Sequence, residues 1–235
     1  MKELKGKLLS VKNGSVRSCG GNQQWAESRQ MRQCGCGVVS STDTLLYLGN
    51  AGTRGGFVRA DGGEVELGEY NALLTRMRRR FLPLIPHFGI NGFGLSLGMN
   101  RYFHRFGIPL RAHWRVSPRR IWDRIGHMLD RDMPVVLSAG PNFPFFWRKR
   151  GVPLYTRQAD GTYRKASSAV AHYVTVTGMD EQWLRVSSWG REYYISRDEY
   201  DAYMRHTSCP LFSNILELCP RKNGRQAASK SSLLT

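Results

Sequence analysis

The sequence lacks any run of roughly 20 consecutive apolar residues, the length that a membrane-spanning helix requires. Its first residues include several lysines but no apolar core, so they do not resemble a secretory signal peptide. Internal repeats are absent, and 25 glycines and 10 prolines in 235 residues are too few for a low-complexity chain. We therefore expect a soluble, cytoplasmic protein with a sizeable core and no membrane partner.

Cysteine is scarce and odd in number, since only five occur, at positions 19, 34, 36, 209 and 219. Their spacing does not resemble a disulfide framework, and a reducing cytosol would keep them as free thiols. Cys34 and Cys36 have no second pair of cysteines or histidines nearby, so a zinc site would need distant ligands such as Cys209 and Cys219. We expect neither a metal nor a cofactor.

Acidic side chains are few relative to basic ones: 18 aspartates and glutamates stand against 35 lysines and arginines, a net charge of +17. The arginines cluster in segments 76–80, 111–124 and 147–150. This charge predicts attraction to an anionic partner, either a nucleic acid or an acidic substrate, although a basic surface alone also explains it. No nucleic-acid recognition motif accompanies the charge, so a nucleic-acid partner has no support from a motif.

Apolar residues at helical spacing predict four helices in the first half of the chain, over 36–48, 67–81, 94–106 and from Ser117 onward. The second half is rich in β-branched residues, and Ser196 with Glu199 forms a capping box that predicts a short helix over 197–204. The predicted strands cover 133–140, 170–179, 182–189, 191–196 and 211–218. Segment 141–168 is predicted to be a long surface loop or a hairpin.

Helices grouped in one half and antiparallel strands in the other indicate the α+β class, with the helical half packed on a C-terminal sheet. We expect a single domain over 1–219. The remaining segment, 220–235, is polar and basic, and we expect a disordered tail.

Cys36 is the candidate nucleophile because it opens the first predicted helix. Unpaired N–H groups at a helix N-terminus favour a thiolate and can also hold a developing oxyanion. Gly35 and Gly37 permit tight backbone geometry and close approach of a substrate. A cysteine that is merely packed at a helix end would show the same pattern.

His172 is the candidate base, since it lies near the start of a predicted strand with apolar neighbours on the same face. With a turn centred on residues 180–181, Ser187 would lie diagonally on the face of His172 and could orient the ring. Ser188 would point to the opposite face. An error of one residue in this register would exchange the two serines.

A cysteine opening a helix, a histidine opening a later strand and the sequence SSWG at 187–190 together resemble the papain-like cysteine peptidases. The similarity covers residues 20–48 and 133–204 and is greatest with the bacterial, bacteriocin-leader (C39-like) branch, which the ending ISRDEY at 195–200 also resembles. The resemblance implies a papain-like fold, a peptide or protein substrate and a thioester intermediate. It makes Cys36 the nucleophile, His172 the general base and then acid, and Ser187 the orienting residue.

The resemblance also implies a glutamine before the cysteine that helps to hold the oxyanion. Gln30 lies six residues before Cys36, the spacing of the family, and Gln23 in GGNQQW is the rival, so both stay candidates. Cys34 could replace Cys36 as nucleophile, but the GCG sequence and the spacing from Gln30 favour Cys36.

One departure from the family leaves a second function open. Ser187 stands where the family has asparagine, and its shorter hydroxyl permits weaker catalysis or an inactive papain-fold binding protein. A basic nucleic-acid-binding protein is the third alternative. If the protein is an enzyme, segment 141–168 would form a lid or a substrate wall whose arginines favour an acidic peptide.

Overall fold

The computed structural model describes residues 1–51 and 63–221, and over these residues the protein is a mixed α+β structure with a large antiparallel sheet. Of the predicted tail, 220–235, residues 222–235 lie outside the described residues. Within the described ranges, no helix has the length and apolar character needed to cross a bilayer.

Six α-helices occur in the described part of the chain, and four of the five predicted helices are confirmed to within a few residues. They are α1 (Arg29–Cys34), α2 (Cys36–Asn50), α3 (Leu67–Arg80), α4 (Gly92–Arg105), α5 (Ile121–Asp130) and α6 (Arg197–His206). The predicted start of α5 at Ser117 is wrong, because Arg120 adopts a left-handed backbone (φ 60°) that a continuing helix does not allow. The short helix α1 was not predicted, and a single 3-10 turn, Gln23–Trp25, precedes it.

The strands form one sheet of nine and a second sheet of three. They are β1 (Lys2–Glu3), β2 (Ser10–Asn13), β3 (Val16–Arg17), β4 (Glu64–Glu66), β5 (Leu110–Trp114), β6 (Val135–Ala139), β7 (Val152–Arg157), β8 (Tyr163–Ala169), β9 (His172–Met179), β10 (Trp183–Ser188), β11 (Arg191–Ser196) and β12 (Ile215–Pro220). The large sheet has the order β5-β12-β6-β9-β10-β11-β7-β8, and β1 also pairs with β9. Strands β2, β3 and β4 form the small sheet.

All five predicted strands of the second half are present, and segment 141–168 resolves into an exposed loop followed by the hairpin β7–β8. Two strands of the large sheet, β1 and β5, come from the N-terminal half and were not predicted. They pair with β9 and β12, which lie far away in the sequence, so the separation of the two halves is less complete than the prediction.

Helix α2 is buried from Cys36 to Gly49 and packs against β9 in the middle of the large sheet. Its core-facing side contains several hydroxyl side chains, two of which bond to the helix itself. Thr42 donates to the carbonyl of Val38 and Thr44 to that of Ser40, each at 2.8 Å. These bonds satisfy the two threonine hydroxyls without a partner from outside the helix, which allows them to lie in a buried helix.

Candidate active site

Cys36 is the first residue of α2, and the two glycines beside it are required by close contacts. Gly35 both ends α1 and caps α2, and a Cβ atom there would lie 2.4 Å from the carbonyl oxygen of Met31. At Gly37 a Cβ atom would lie 2.8 Å from Ile90. The sequence GCG therefore allows two helices to meet at a sharp break that places the cysteine at a helix N-terminus.

The sulfur of Cys36 lies against the beginning of β9. A backbone hydrogen bond from Tyr173, the residue after His172, reaches the thiol, and the backbone N–H of Gly37 is a second donor. Cys36 and His172 also line the same cleft of about 740 Å³. Helix α2 and strand β9 thus bring the candidate nucleophile and the candidate base, 136 positions apart in the sequence, to one place.

Ser188, and not Ser187, bonds to the histidine, which corrects the predicted role of Ser187. Nε2 of His172 lies 2.8 Å from Oγ of Ser188, whereas the hydroxyl of Ser187 donates to the carbonyl of Cys19 at 2.7 Å. Both serines are buried.

The physical reason is a β-bulge in the β9–β10 hairpin. The connection is wider than predicted, so that Met179 pairs with Leu184, and the register then shifts between Arg185 and Val186, where Thr177 is left without a partner in the pairing. The net result differs by one residue from the predicted register, and one residue exchanges the two faces of a strand.

Trp189 covers the ring of His172. Its ring stacks on that of His172 with centroids 4.5 Å apart and an angle of 23° between the planes. Trp189 (φ 50°) and Gly190 (φ 74°) form the two-residue turn between β10 and β11, where both positions need a left-handed backbone. The SSWG sequence therefore supplies the bonding partner, the cover and the turn.

The structure separates the two candidate glutamines. Gln23 is buried and lines the cleft beside Cys36, and its Nε2 donates to the carbonyl of Arg32 at 2.9 Å. Because an amide nitrogen has two hydrogens, one donor remains. Gln30 is not among the cleft residues and instead bonds to Arg78 and to the carbonyl of Leu84. The prediction for Gln30 is corrected: α1 is a separate helix, and it directs Gln30 toward the end of α3.

Cys34 is also directed away from the cleft. Its thiol donates to the carbonyl of Gln30 at 3.1 Å, within α1, and a Cβ atom at Gly89 would contact its carbonyl oxygen. Cys34 does not line the cleft, which leaves Cys36 as the candidate nucleophile.

Burial keeps both reactive groups neutral. It raises the pKa of the Cys36 thiol to about 11, against the backbone hydrogen bonds from Tyr173 and Gly37, which lower it. Burial also lowers the pKa of His172 to about 4. At neutral pH the site therefore holds a protonated thiol and an uncharged imidazole.

A buried acid, Asp43, lies beneath the site and was missed by the sequence analysis. It is two turns along α2 from Cys36, and it lines a small chamber of about 10 Å³ together with His172 and Ser188. Its carboxylate accepts hydrogen bonds from the hydroxyl of Tyr70 at 2.6 Å and from the N–H of Gly21 at 2.9 Å. Burial raises its pKa to about 6. A charged residue seven positions after Cys36, within an apolar helical stretch, was the available signal.

Among the residues that the structure describes, basic and amide side chains line the cleft and acidic ones do not. Its residues are Gln23, Gln24, Arg29, Arg32, Gln33, Cys36, Ser168, Val170, Ala171, His172 and Trp189. From the predicted wall at 141–168, only Ser168 reaches it. Segment 143–150, hereafter the aromatic loop, does not line it, so the predicted lid or wall role does not hold for that part.

Among the described residues, no group of three or more histidine, cysteine, aspartate or glutamate side chains is arranged to hold a metal ion. A scan against protein-family models finds no match for this chain, and a search of curated proteins finds none either.

Proposed function

We propose that the protein is a papain-like cysteine hydrolase that cleaves an amide bond, a peptidase in the simplest case. One observation carries the proposal: Cys36 at a helix N-terminus lies against β9 beside His172, whose ring is fixed by Ser188 and covered by Trp189. A nucleophile, a base and an orienting group that line one chamber are the arrangement that covalent acyl transfer needs.

The proposed reaction begins with a proton transfer inside the neutral pair. When Nε2–H of His172 donates to Ser188, Nδ1 is unprotonated and can accept the thiol proton. The sulfur then forms a bond to the carbonyl carbon of the substrate, and the π electrons move to the oxygen. Backbone N–H groups at the start of α2 and the free amide hydrogen of Gln23 stabilise that oxyanion.

Collapse of the intermediate breaks the carbon–nitrogen bond, and the leaving amine takes the proton from His172. Water then attacks the thioester while His172 accepts a proton from it, which releases the acid and returns the thiol. Because both groups are neutral at rest, His172 acts as a general base on a thiol, and the site does not require a preformed ion pair.

An acidic peptide is the substrate class that the cleft favours. Arg29 is exposed at its rim and Arg32 lines it, with no acidic side chain among the cleft residues to oppose them. Gln24 and Gln33 add amide groups that can bond to a peptide backbone. Carboxylates on the substrate would therefore be attracted.

The test uses two probes that need no knowledge of the natural substrate. Iodoacetamide reports the reactivity of the thiol, and p-nitrophenyl acetate reports acyl transfer as a burst of nitrophenol. We expect rapid labelling and a burst that are lost in Cys36→Ala, are strongly reduced in His172→Ala and persist in Cys34→Ala.

Gln23 separates acyl transfer from simple alkylation, because alkylation forms no oxyanion. Gln23→Ala should slow the acylation burst by about 10²-fold and leave alkylation nearly unchanged, whereas Gln30→Ala should change neither. Equal, slow labelling of all five cysteines, with no burst, would overturn the hydrolase proposal.

A further inference from the structure

The aromatic loop exposes more apolar surface than its length would suggest. All eight residues, 143–150, are exposed, and they read FPFFWRKR. The exposed fractions of the large side chains are 46% for Phe143, 41% for Phe145, 57% for Phe146 and 75% for Trp147. Apolar side chains in a contiguous exposed group mark an interaction site, because water solvates them poorly.

The fold itself keeps these side chains exposed, because hydrogen bonds close the loop at its base. Asn142 is buried, and its Nδ2 donates to the carbonyl of Arg150 at 2.7 Å while its Oδ1 accepts from the N–H of Arg150 at 3.0 Å. Two turn bonds inside the loop, from Phe146 to Pro144 and from Arg148 to Phe145, fix its course. A closed loop of this kind holds its side chains outward.

The rings continue onto the neighbouring surface. Phe212 lies 5.9 Å from Phe143 and 6.3 Å from Phe146 between ring centroids, and the adjacent Leu211 is 45% exposed. The apolar patch therefore rests on the segment before β12 as well as on the loop.

The loop is also basic and contains no acidic residue. Arg148, Lys149 and Arg150 form no ion pair with any residue in the described ranges. Arg148 lies over the ring of Phe145, 4.5 Å from its centroid. Three cations without an ion pair in the described ranges, beside four apolar rings, fit a partner that has an apolar interior and an anionic surface.

We propose that the aromatic loop docks the protein on the surface of an anionic lipid bilayer. Tryptophan and phenylalanine partition into the boundary between headgroups and acyl chains, and lysine and arginine beside them contact anionic headgroups. Nucleic acid is the rival anionic partner. A strand of nucleic acid needs a groove to follow, however, whereas these rings face outward on eight consecutive exposed residues.

Docking would bring the cleft near the membrane. Strand β6, which ends just before the loop, pairs Ala139 with His172, and the N–H of Ala171 donates to the carbonyl of Gly140.

This proposal reverses the expectation of no membrane partner. That expectation came from the length of apolar runs, which detects a segment that spans a bilayer and not one that lies on it. The membrane-docking proposal does not depend on the proposed hydrolase activity.

The test is cosedimentation of the full chain with vesicles of phosphatidylcholine, alone or mixed with phosphatidylserine. We expect binding to the mixed vesicles and little to the neutral ones. Phe146→Ser with Trp147→Ser should weaken binding at least tenfold. Arg148→Gln with Lys149→Gln should weaken it about fivefold for each cation removed, which corresponds to about 1 kcal/mol each.

Matched controls separate the loop from the overall charge of the protein. Arg79→Gln with Arg80→Gln, in α3, removes the same charge and should weaken binding less than twofold, and Val16→Ser removes an exposed apolar group in β3 with no effect. Equal losses in loop and control variants, or no binding at all, would overturn the proposal. So would loop variants that keep vesicle binding but lose binding to a single-stranded RNA oligonucleotide. An unchanged far-UV circular dichroism spectrum and thermal unfolding transition check that the variants fold.

Discussion

Two neighbouring regions of this protein treat polarity in opposite ways. The cleft floor, formed by Gly21, Asp43, Tyr70, His172 and Ser188, buries polar groups and gives each a hydrogen-bond partner. The aromatic loop exposes apolar rings, and its cations form no ion pair within the described part of the chain. The floor therefore contributes stability and sets protonation states, while the loop contributes little to stability and is available to a partner. Substitutions in the floor and in the loop should therefore have different effects.

The largest effect is expected from Asp43→Ala. This change leaves the hydroxyl of Tyr70 and the N–H of Gly21 buried without an acceptor, and each such group costs about 1–3 kcal/mol. We expect a loss of about 3 kcal/mol in the free energy of unfolding, measured by urea denaturation. Asp198→Ala, which removes an exposed acid from the first turn of α6, should cost less than about 1 kcal/mol. Equal losses from the two substitutions would mean that the floor is not the stabilising region.

The next largest effect concerns pH, because burial shifts the pKa values of two groups in the floor in opposite directions. The pKa of His172 falls from 6.5 to about 4, so the unfolded chain binds the proton first as the pH drops. Its contribution to stability is present above pH 6.5 and is lost toward pH 4. Asp43 has the opposite sign. Its pKa rises from 3.8 to about 6, so the folded chain binds the proton first, and stability is gained as the pH falls below 6.

Each group alone would change the unfolding free energy by up to about 1.4 kcal/mol per pH unit, so in the wild type they nearly cancel between pH 6 and 4. We expect His172→Gln to become more stable as the pH falls from 6 to 4, and Asp43→Asn to become less stable, each relative to wild type. Cys19, Cys36 and Tyr70 face the same floor, but burial raises their pKa values and they stay protonated in this range. The aromatic loop contains no aspartate, glutamate or histidine, so Trp147→Ser should keep the wild-type profile.

A smaller effect separates the two serines. Ser188→Ala removes the partner of Nε2 on His172, and a lost hydrogen bond of about 1 kcal/mol should slow the labelling of Cys36 about fivefold. Ser187→Ala removes a hydroxyl that bonds to Cys19 and not to His172, so the labelling rate should change less than twofold. The reverse result would restore the role that the sequence predicted for Ser187.

The sequence predicted what depends on local pattern. Periodicity located α2, α3 and α4, and the position of a cysteine at a helix start identified Cys36, because helix capping is a short-range property. It could not place α1, whose six residues are too few for a periodic signal, and so it could not show that Gln30 points away from Cys36.

The errors at the site come from contacts between separate elements, which local pattern does not reveal. The choice between Ser187 and Ser188 depended on a bulge opposite Arg185, and a bulge leaves no mark that alternation of polar and apolar residues reveals. Strands β1 and β5 were missed because their partners, β9 and β12, are more than a hundred residues away. Asp43 was overlooked because a single charge on an apolar helix is normally assigned to the solvent side, whereas every face of α2 is covered.

The smallest effect is expected from Trp147→Ser. The side chain is 75% exposed, and the base of its loop is held by Asn142 and Arg150, neither of which depends on the indole. We expect the unfolding free energy to change by less than about 0.5 kcal/mol, as for most surface substitutions. A loss several times larger would mean that Trp147 stabilises the fold. Its exposure would then need no partner to explain it, and the division between a stabilising floor and an available loop would fail where it is sharpest.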